Sequence, residues 1–173
     1  MDEKADQTRF ESITHGSLDS LEVISLIKDF LEEEPNAEYR LLIGTDSHGK
    51  AGPHNNSSKT INLVTAVLVH RKGFGGKYFW LRKYVGNIHT LRDKIYAETM
   101  ASIEFAGGFV PLLRKNLNGH SPNYLLEIHI DVGEHGDTRE MIKEVVGMVT
   151  GSGFVAKTKP DAYAASYVAD KHT

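Results

Sequence analysis

Two aspartates follow apolar runs, at positions where a carboxylate can take part in chemistry. Asp46 comes after residues 41–43 across a Gly-Thr step, and Asp131 comes after the largely apolar residues 124–130. A short apolar run bounded by turn residues is typical of a buried strand. An ionised carboxylate at the end of such a strand is costly unless it is paired or binds a metal. Asp46 taken alone also fits an ordinary turn, and three further acids strengthen the functional interpretation.

Glu98 belongs to a predicted helix. The apolar spacing of residues 91–105 is typical of an amphipathic helix. Leu91, Ile95 and Glu98 share one face of it, because residues three and four apart are neighbours on a helix. A carboxylate on an apolar face is expensive to bury unless it has a partner. Glu98 is therefore a candidate for the same site, whereas Glu104 lies off this face and is predicted to be exposed.

Asp161 is the fourth candidate. It follows Pro160 at the start of the last predicted helix, residues 161–170. A helix N-cap role explains an aspartate at this position as well. Asp170, at the far end of the same helix, competes with Asp161 for the fourth acidic position. The sequence favours Asp161 because it comes directly after the last predicted strand.

The elements that must position these acids follow in the order three strands, helix, strand, helix, strand, helix. Residues 61–71 and 78–85 are typical of two strands of a hairpin around a glycine-rich turn. The order predicts an α/β fold with a mixed five-stranded sheet, an antiparallel hairpin plus parallel strands, and helices on both faces. Sites in such sheets gather beyond the carboxyl ends of the parallel strands. Asp46 and Asp131 are both predicted to lie at that edge.

The N-terminal residues 1–37 are predicted to form a helical extension of a single domain, residues 1–173, whose core is residues 38–173. Residues 1–16 have little periodicity and are expected to be loosely docked. Apolar residues at three- and four-residue spacing then predict an extra N-terminal helix, for which Ser17 is a candidate N-cap.

The composition restricts the class of protein. The 173 residues fit one domain, and contents of 40% hydrophobic and 25% charged residues are ordinary for a globular protein. No apolar run approaches the ~20 residues of a membrane helix, and the polar N-terminus shows no secretory signal. A cytoplasmic location without membrane association is therefore expected. The absence of cysteine excludes disulfides and thiolate zinc sites. The net charge of −3 argues against nucleic-acid binding driven by bulk charge.

Over residues 38–173 the order of elements, with one acid in each of four places, resembles the ribonuclease-H-like superfamily. Residues 43–47, 129–133 and 159–166 are similar in particular to its uncharacterised YkuK-type family, as are residues 10–14. The resemblance implies that acids on the first strand, first core helix, fourth strand and last helix bind two divalent cations and act in catalysis. Carried over residue by residue, these acids are Asp46, Glu98, Asp131 and Asp161.

The chemistry of clustered carboxylates agrees with this resemblance. Two carboxylates about 4 Å apart repel by roughly 4 kcal/mol at an effective dielectric constant of ~20. Mg2+ and Mn2+ prefer oxygen ligands. Two such ions ~3.5–4 Å apart can activate a water and stabilise the leaving oxygen of a phosphodiester. The expectation is a nuclease that uses Mg2+ or Mn2+ as a pair of ions and acts on RNA or DNA.

Two other interpretations stay open. A non-catalytic module of the same fold would bind nucleic acid or a protein partner. Residues 131–136 also resemble a phosphate loop before a helix, which would suggest nucleotide handling.

Some further residues have two explanations each. The long polar loop 48–59 is a candidate substrate-facing flap or a disordered loop. His48 and His135 are candidates for proton transfer, and Lys157 and Lys159 for phosphate contact; all four also fit an ordinary solvated surface. Basic and aromatic residues of the hairpin form either a nucleic-acid platform or part of the core. They are Arg71, Lys72, Lys77, Arg82, Lys83, Phe74, Tyr78, Phe79 and Trp80.

Overall fold

In the computed structural model, residues 8–48, 59–117, 124–133, 138–162 and 168–173 are described. They form a mixed seven-stranded sheet with helices. The strands are β1 (Phe10–Ser12), β2 (Gly16–Leu18), β3 (Tyr39–His48), β4 (Lys59–Arg71), β5 (Gly75–Ile88), β6 (Tyr124–His129) and β7 (Val155–Lys157). The helices are α1 (Ser20–Glu32), α2 (Leu91–Asn116) and α3 (Ile142–Gly151), the last preceded by a 3-10 turn, Arg139–Met141.

The strands lie in the order β2-β1-β5-β4-β3-β6-β7. β3, β4 and β5 are antiparallel neighbours, whereas β6 runs parallel to β3 and β7 parallel to β6. Ile43 of β3 therefore pairs with Val67 on one side and Ile128 on the other. The predicted mixed α/β sheet, with an antiparallel hairpin followed by parallel strands, is confirmed.

The predicted number of five strands is wrong, because residues 10–18 add β1 and β2 to the sheet. Residues 1–16 were expected to be loosely docked. Phe10 is instead buried, with its ring centroid 5.8 Å from that of Phe105 and 5.9 Å from that of Phe109 on α2. Strands of three residues are too short for an alternating pattern to be recognised in the sequence.

The first helix is capped by Asp19, and not by Ser17 as expected. The Asp19 carboxylate accepts a hydrogen bond of 2.9 Å from the backbone N–H of Glu22, and the Glu22 carboxylate accepts one of 2.7 Å from the backbone N–H of Asp19. This reciprocal capping box satisfies two N–H groups at the helix end. Ser17 instead pairs with Glu11 in the β1–β2 hairpin.

The long helix α2 continues for 26 residues, past the predicted end at residue 105. Gly107, Gly108 and Pro111 lie on its exposed side, whereas Phe109 and Leu113 are buried. A helical glycine costs about 1 kcal/mol relative to alanine. Burying one large apolar side chain contributes ~1.5–3 kcal/mol, so packing keeps this segment helical.

All three helices cover one face of the sheet. Their apolar sides pack with Leu41, Ile43 and Val67 in the main core. The opposite face has a smaller cluster, formed by Val64, Ala66, Trp80, Val168 and Ala169. Residues 168–170 are helical, so helical structure lies on both faces as expected. No helix of the described chain is both long and apolar enough to cross a membrane.

Several predicted features lie outside the described residues. They are residues 49–58 of the proposed flap, residues 134–136 of the proposed phosphate loop with His135, and residues 163–167 of the last predicted helix.

Candidate active site

Glu98 is buried on α2, as the helical spacing predicted. Its carboxylate Oε1 accepts a 2.6 Å hydrogen bond from Ser47 Oγ and lies 3.6 Å from Lys94 Nζ. Burial raises the pKa of Glu98 to about 7, against the opposing effects of Ser47 and Lys94. The negative charges of Asp46 and Asp131 add to the rise. Glu104 is exposed, which confirms its predicted place off this face.

Asp46 is half-buried near the end of β3. Its pKa is raised, first by burial and then by the charges of Asp131 and Asp170, while the Ser47 backbone and Lys94 act in the opposite direction. The acids of β3, α2 and the segment after β6 therefore act on one another electrostatically. The assignment of Asp46, Glu98 and Asp131 to one site stays a prediction, which these electrostatic effects support.

Asp131 is held by an ion pair with Lys159. The distance between Lys159 Nζ and Asp131 Oδ1 is 2.5 Å, and both side chains remain partly exposed. Lys159 follows β7, so the ion pair joins the chain after β6 to the chain after β7. The contact gives Lys159 a specific position beside the acids, which the sequence alone did not.

The two candidates for the fourth acid lie in different surroundings. Asp161 is exposed and lines a cleft with Leu42 and His129, and its backbone N–H donates a 2.9 Å hydrogen bond to Thr158. Asp170, in the helical residues 168–170, is the acid whose charge raises the pKa of Asp46. This electrostatic effect relates Asp170 to Asp46, and the roles of Asp161 and Asp170 as ligands both stay predictions.

An aromatic stack holds the segment that contains Asp170. The His172 ring lies on the Trp80 ring with centroids 3.6 Å apart and planes inclined by 6°. Arg82 donates a 2.9 Å hydrogen bond to the His172 carbonyl oxygen and forms a 2.6 Å ion pair with Glu11. Asp170 is thus supported by packing on the sheet two residues away.

The candidate acids offer the type of ligand atom that a hard divalent cation prefers. Asp46, Glu98 and Asp131 offer only carboxylate oxygens, the ligands that Mg2+ and Mn2+ prefer. Their mutual effects on pKa show that concentrated negative charge is costly here. Within the part of the chain that the structure describes, no three Asp, Glu or His side chains are grouped closely enough to hold an ion.

The hairpin does not offer a continuous basic and aromatic platform among its described residues. Phe79 and Trp80 are buried, while Phe74 is exposed. Four of the basic side chains form ion pairs with acids, namely Arg71 with Glu33, Lys72 with Glu38, Arg82 with Glu11 and Lys83 with Glu104. Lys77 lies over the Phe30 ring, 5.3 Å from its centroid. The explanation of Phe79 and Trp80 as core residues is confirmed.

A second polar pair on β6 was missed by the sequence analysis. Glu127 and His129 are both buried, with 3.2 Å between Glu127 Oε2 and His129 Nε2. Burial lowers the pKa of His129, against the opposing effect of Glu127. The alternation of Glu127 and His129 along β6, which Asp131 continues after the strand, was the available signal. His129 lines the cleft that also includes Asp161, which has a volume of about 850 Å³.

Comparison with known proteins identifies the family of this chain. The profile of the family described as Ribonuclease H-like matches residues 22–173. The match includes β3, α2, the segment after β6 and the C-terminal segment, and therefore all the candidate acids, Asp46, Glu98, Asp131, Asp161 and Asp170. The chain therefore belongs to the ribonuclease-H-like family.

The chain also matches a relative along almost its full length. The chain is 31% identical over 178 aligned residues to the uncharacterized protein YkuK of Bacillus subtilis strain 168. The alignment covers 98% of this chain and 99% of YkuK, so it extends beyond the family match to the N-terminal segment. The expected similarity to the YkuK-type family is confirmed. No solved structure matches the chain significantly.

Proposed function

We propose that the protein is a divalent-metal-dependent nuclease that hydrolyses phosphodiester bonds of RNA or DNA, with Mg2+ or Mn2+ as its cofactor. The observation that supports the proposal most directly is the electrostatic coupling of Asp46, Glu98 and Asp131. These acids come from three separate elements, and burial and mutual repulsion raise the pKa of two of them, Asp46 and Glu98. Perturbed ionisable groups that converge from distant parts of a sequence are typical of functional sites. Membership of the ribonuclease-H-like family supports the same reaction class.

In the proposed site the acids are the metal ligands. Asp46, Glu98 and Asp131 supply carboxylate oxygens, and Asp170 is the fourth acid, with Asp161 as the alternative. Ser47 orients Glu98 through the 2.6 Å hydrogen bond to its Oε1. When bound, two cations would supply an activated water and charge stabilisation of the leaving oxygen. No side-chain nucleophile is then required, in agreement with a chain that has no cysteine.

Glu98 must be ionised to bind a metal ion, and its surroundings in the protein determine how readily it ionises. Burial disfavours its charged form, so near neutral pH the metal-free carboxyl is about equally protonated and ionised. A nearby cation favours the ionised form. We therefore expect metal binding to release a proton from Glu98, and apparent metal affinity to rise with pH through about 7.

A cleavage assay tests the proposal. The purified protein with Mn2+ is incubated with single-stranded and duplex RNA, DNA and an RNA–DNA hybrid. We expect cleavage of at least one of these substrates, and its loss in Asp131→Asn. Asp29→Asn on α1 is the matched control, because it makes the same chemical change at an exposed position of another element. Cleavage that persists in Asp131→Asn would contradict the assigned site.

A non-catalytic module that binds nucleic acid or a protein partner is the second candidate. The observation that favours it is the ion pair of Asp131 with Lys159, together with the separation of the described acids. Nucleic-acid binding measured without cleavage of any substrate, with Mg2+ and with Mn2+, would make this function the better one.

A further inference from the structure

The position of Lys159 beside Asp131 is fixed by its backbone as well as by its charge. Its ammonium Nζ lies 2.5 Å from Asp131 Oδ1. Its backbone N–H donates a 2.9 Å hydrogen bond to the carbonyl oxygen of Val132, the residue that follows Asp131. The lysine is thus attached at both ends to the short segment that contains its partner.

Gly133 leaves room for the stem of this lysine. A Cβ atom at Gly133 would lie 3.4 Å from the Cβ and 3.9 Å from the Cδ of Lys159. These are ordinary van der Waals distances, so the stem of Lys159 lies directly beside the backbone of Gly133. This packing adds to the contacts that keep Lys159 near the aspartate two residues before the glycine.

Lys94 is a second cation near the acids, but its relation to them differs. Its Nζ lies 3.6 Å from Glu98 Oε1, an oxygen that already accepts the hydrogen bond from Ser47. Lys94 also belongs to the same helix as its partner. Lys159 instead contacts an aspartate from a separate segment, at the shorter distance.

We propose that Lys159 is a tethered counter-ion of the acidic cluster, which a divalent cation must displace from Asp131 when it binds. This inference rests on the proposed function. A cation that takes Asp131 Oδ1 as a ligand competes with the ammonium for the same oxygen and is repelled by its charge. Removal of the ammonium should therefore strengthen metal binding, although Lys159 is not itself a ligand. Lys159 is a positioning residue that sets how readily the cluster accepts a cation.

The expected size of the effect follows from the exposure of the pair. A solvent-exposed ion pair contributes at most ~1 kcal/mol. This free energy corresponds to about a fivefold change in a dissociation constant. We expect Lys159→Met to bind Mn2+ about fivefold more tightly than the parent protein, because methionine keeps the apolar stem over Gly133 and removes only the charge.

Calorimetric titration with Mn2+ alone tests the inference without any measurement of activity. Lys157→Met on β7 is the matched control, since it removes the same charge two residues earlier and should stay within about twofold of the parent. Lys159→Arg keeps the charge and should also stay near the parent value. Lys159→Gln serves as a second neutral variant if the methionine variant does not give a cooperative thermal transition.

The outcomes separate the two proposals. Tighter binding by the neutral Lys159 variants, without a comparable change in Lys157→Met, supports the counter-ion. Equal or weaker binding by those variants, in a parent that binds Mn2+ through Asp46, overturns the counter-ion and leaves the proposed function in place. A parent that binds no Mn2+, or an Asp46→Asn variant that binds it equally well, overturns both.

Discussion

Replacement of Glu98 by glutamine tests whether the ionised form of Glu98 destabilises the folded protein. Burial raises the pKa of Glu98 from the ordinary value of 4.5 to about 7. In the metal-free protein the folded state therefore binds this proton more tightly than the unfolded state does. The resulting stability is fully present below pH 4.5 and is lost as the pH rises through about 7.

The magnitude follows from the same two pKa values. One pKa unit is equivalent to ~1.4 kcal/mol, so the ionised Glu98 costs the folded protein on the order of 3 kcal/mol. Glutamine cannot ionise, and its amide oxygen can still accept the hydrogen bond from Ser47 that measures 2.6 Å in the parent. We expect Glu98→Gln to match the parent below pH 4.5 and, without metal, to exceed it by up to ~3 kcal/mol at about pH 8.

Urea unfolding in EDTA at the two pH values measures this difference. Glu104→Gln on the exposed side of α2 is the control, and its loss of the 3.4 Å ion pair with Lys83 should change stability by less than ~1 kcal/mol. Saturating Mn2+ should reverse the order, because only the parent retains the full set of carboxylates. The variant lacks the titration of Glu98 and should have a flatter pH profile than the parent, although the raised pKa of Asp46 leaves some pH dependence in both proteins. Parallel profiles for Glu98→Gln and the parent would refute the reasoning.

Three further measurements address the metal ligands and the packing. Millimolar Mg2+ or Mn2+ should raise the melting temperature through binding to the folded state, and Asp46→Asn should remove most of that rise; a full rise would place the ions elsewhere. Asp170→Asn should weaken Mn2+ binding in calorimetry while Asp161→Asn leaves it unchanged, and the opposite result would make Asp161 the fourth acid. At Gly108 on α2 an added Cβ would have no atom within 4 Å, so Gly108→Ala should stabilise the protein by ~0.5–1 kcal/mol in urea unfolding. Gly76→Ala should destabilise it by ~1–3 kcal/mol, since its Cβ would press on the Val69 carbonyl oxygen; equal effects at the two glycines would contradict the described packing.

The central part of the fold could be predicted because its elements are long enough to show a period. β4 and β5 have 13 and 14 residues, so their strand character was evident from the sequence. The N-terminal hairpin was missed because each of its strands has three residues. The end of α2 was also missed, because Gly107 and Gly108 are unfavourable locally and only tertiary burial of the next residues keeps the helix intact.

The positions of some candidate acids could also be predicted, because they belong to elements with a clear period. Helical spacing placed Glu98 on the buried face, and the ends of apolar runs placed Asp46 and Asp131 at one edge of the sheet. The position of Asp170 depends on how the C-terminal segment packs on Trp80, and no local sequence pattern shows this packing. The contact of Lys159 with Asp131 depends on the path of the chain across Gly133, which spacing along the sequence cannot show.

The seven-stranded sheet has very short strands at both of its edges. β2 and β7 have three residues each. An edge strand can recruit another chain through its unpaired backbone groups, and short edge strands limit such pairing. Within the described residues β1 lies beside β5, with Glu11 opposite Trp80. The charged residues Arg82 and Lys83 follow Trp80 on β5. We therefore expect the outermost strands β2 and β7 to offer little backbone for the addition of another strand.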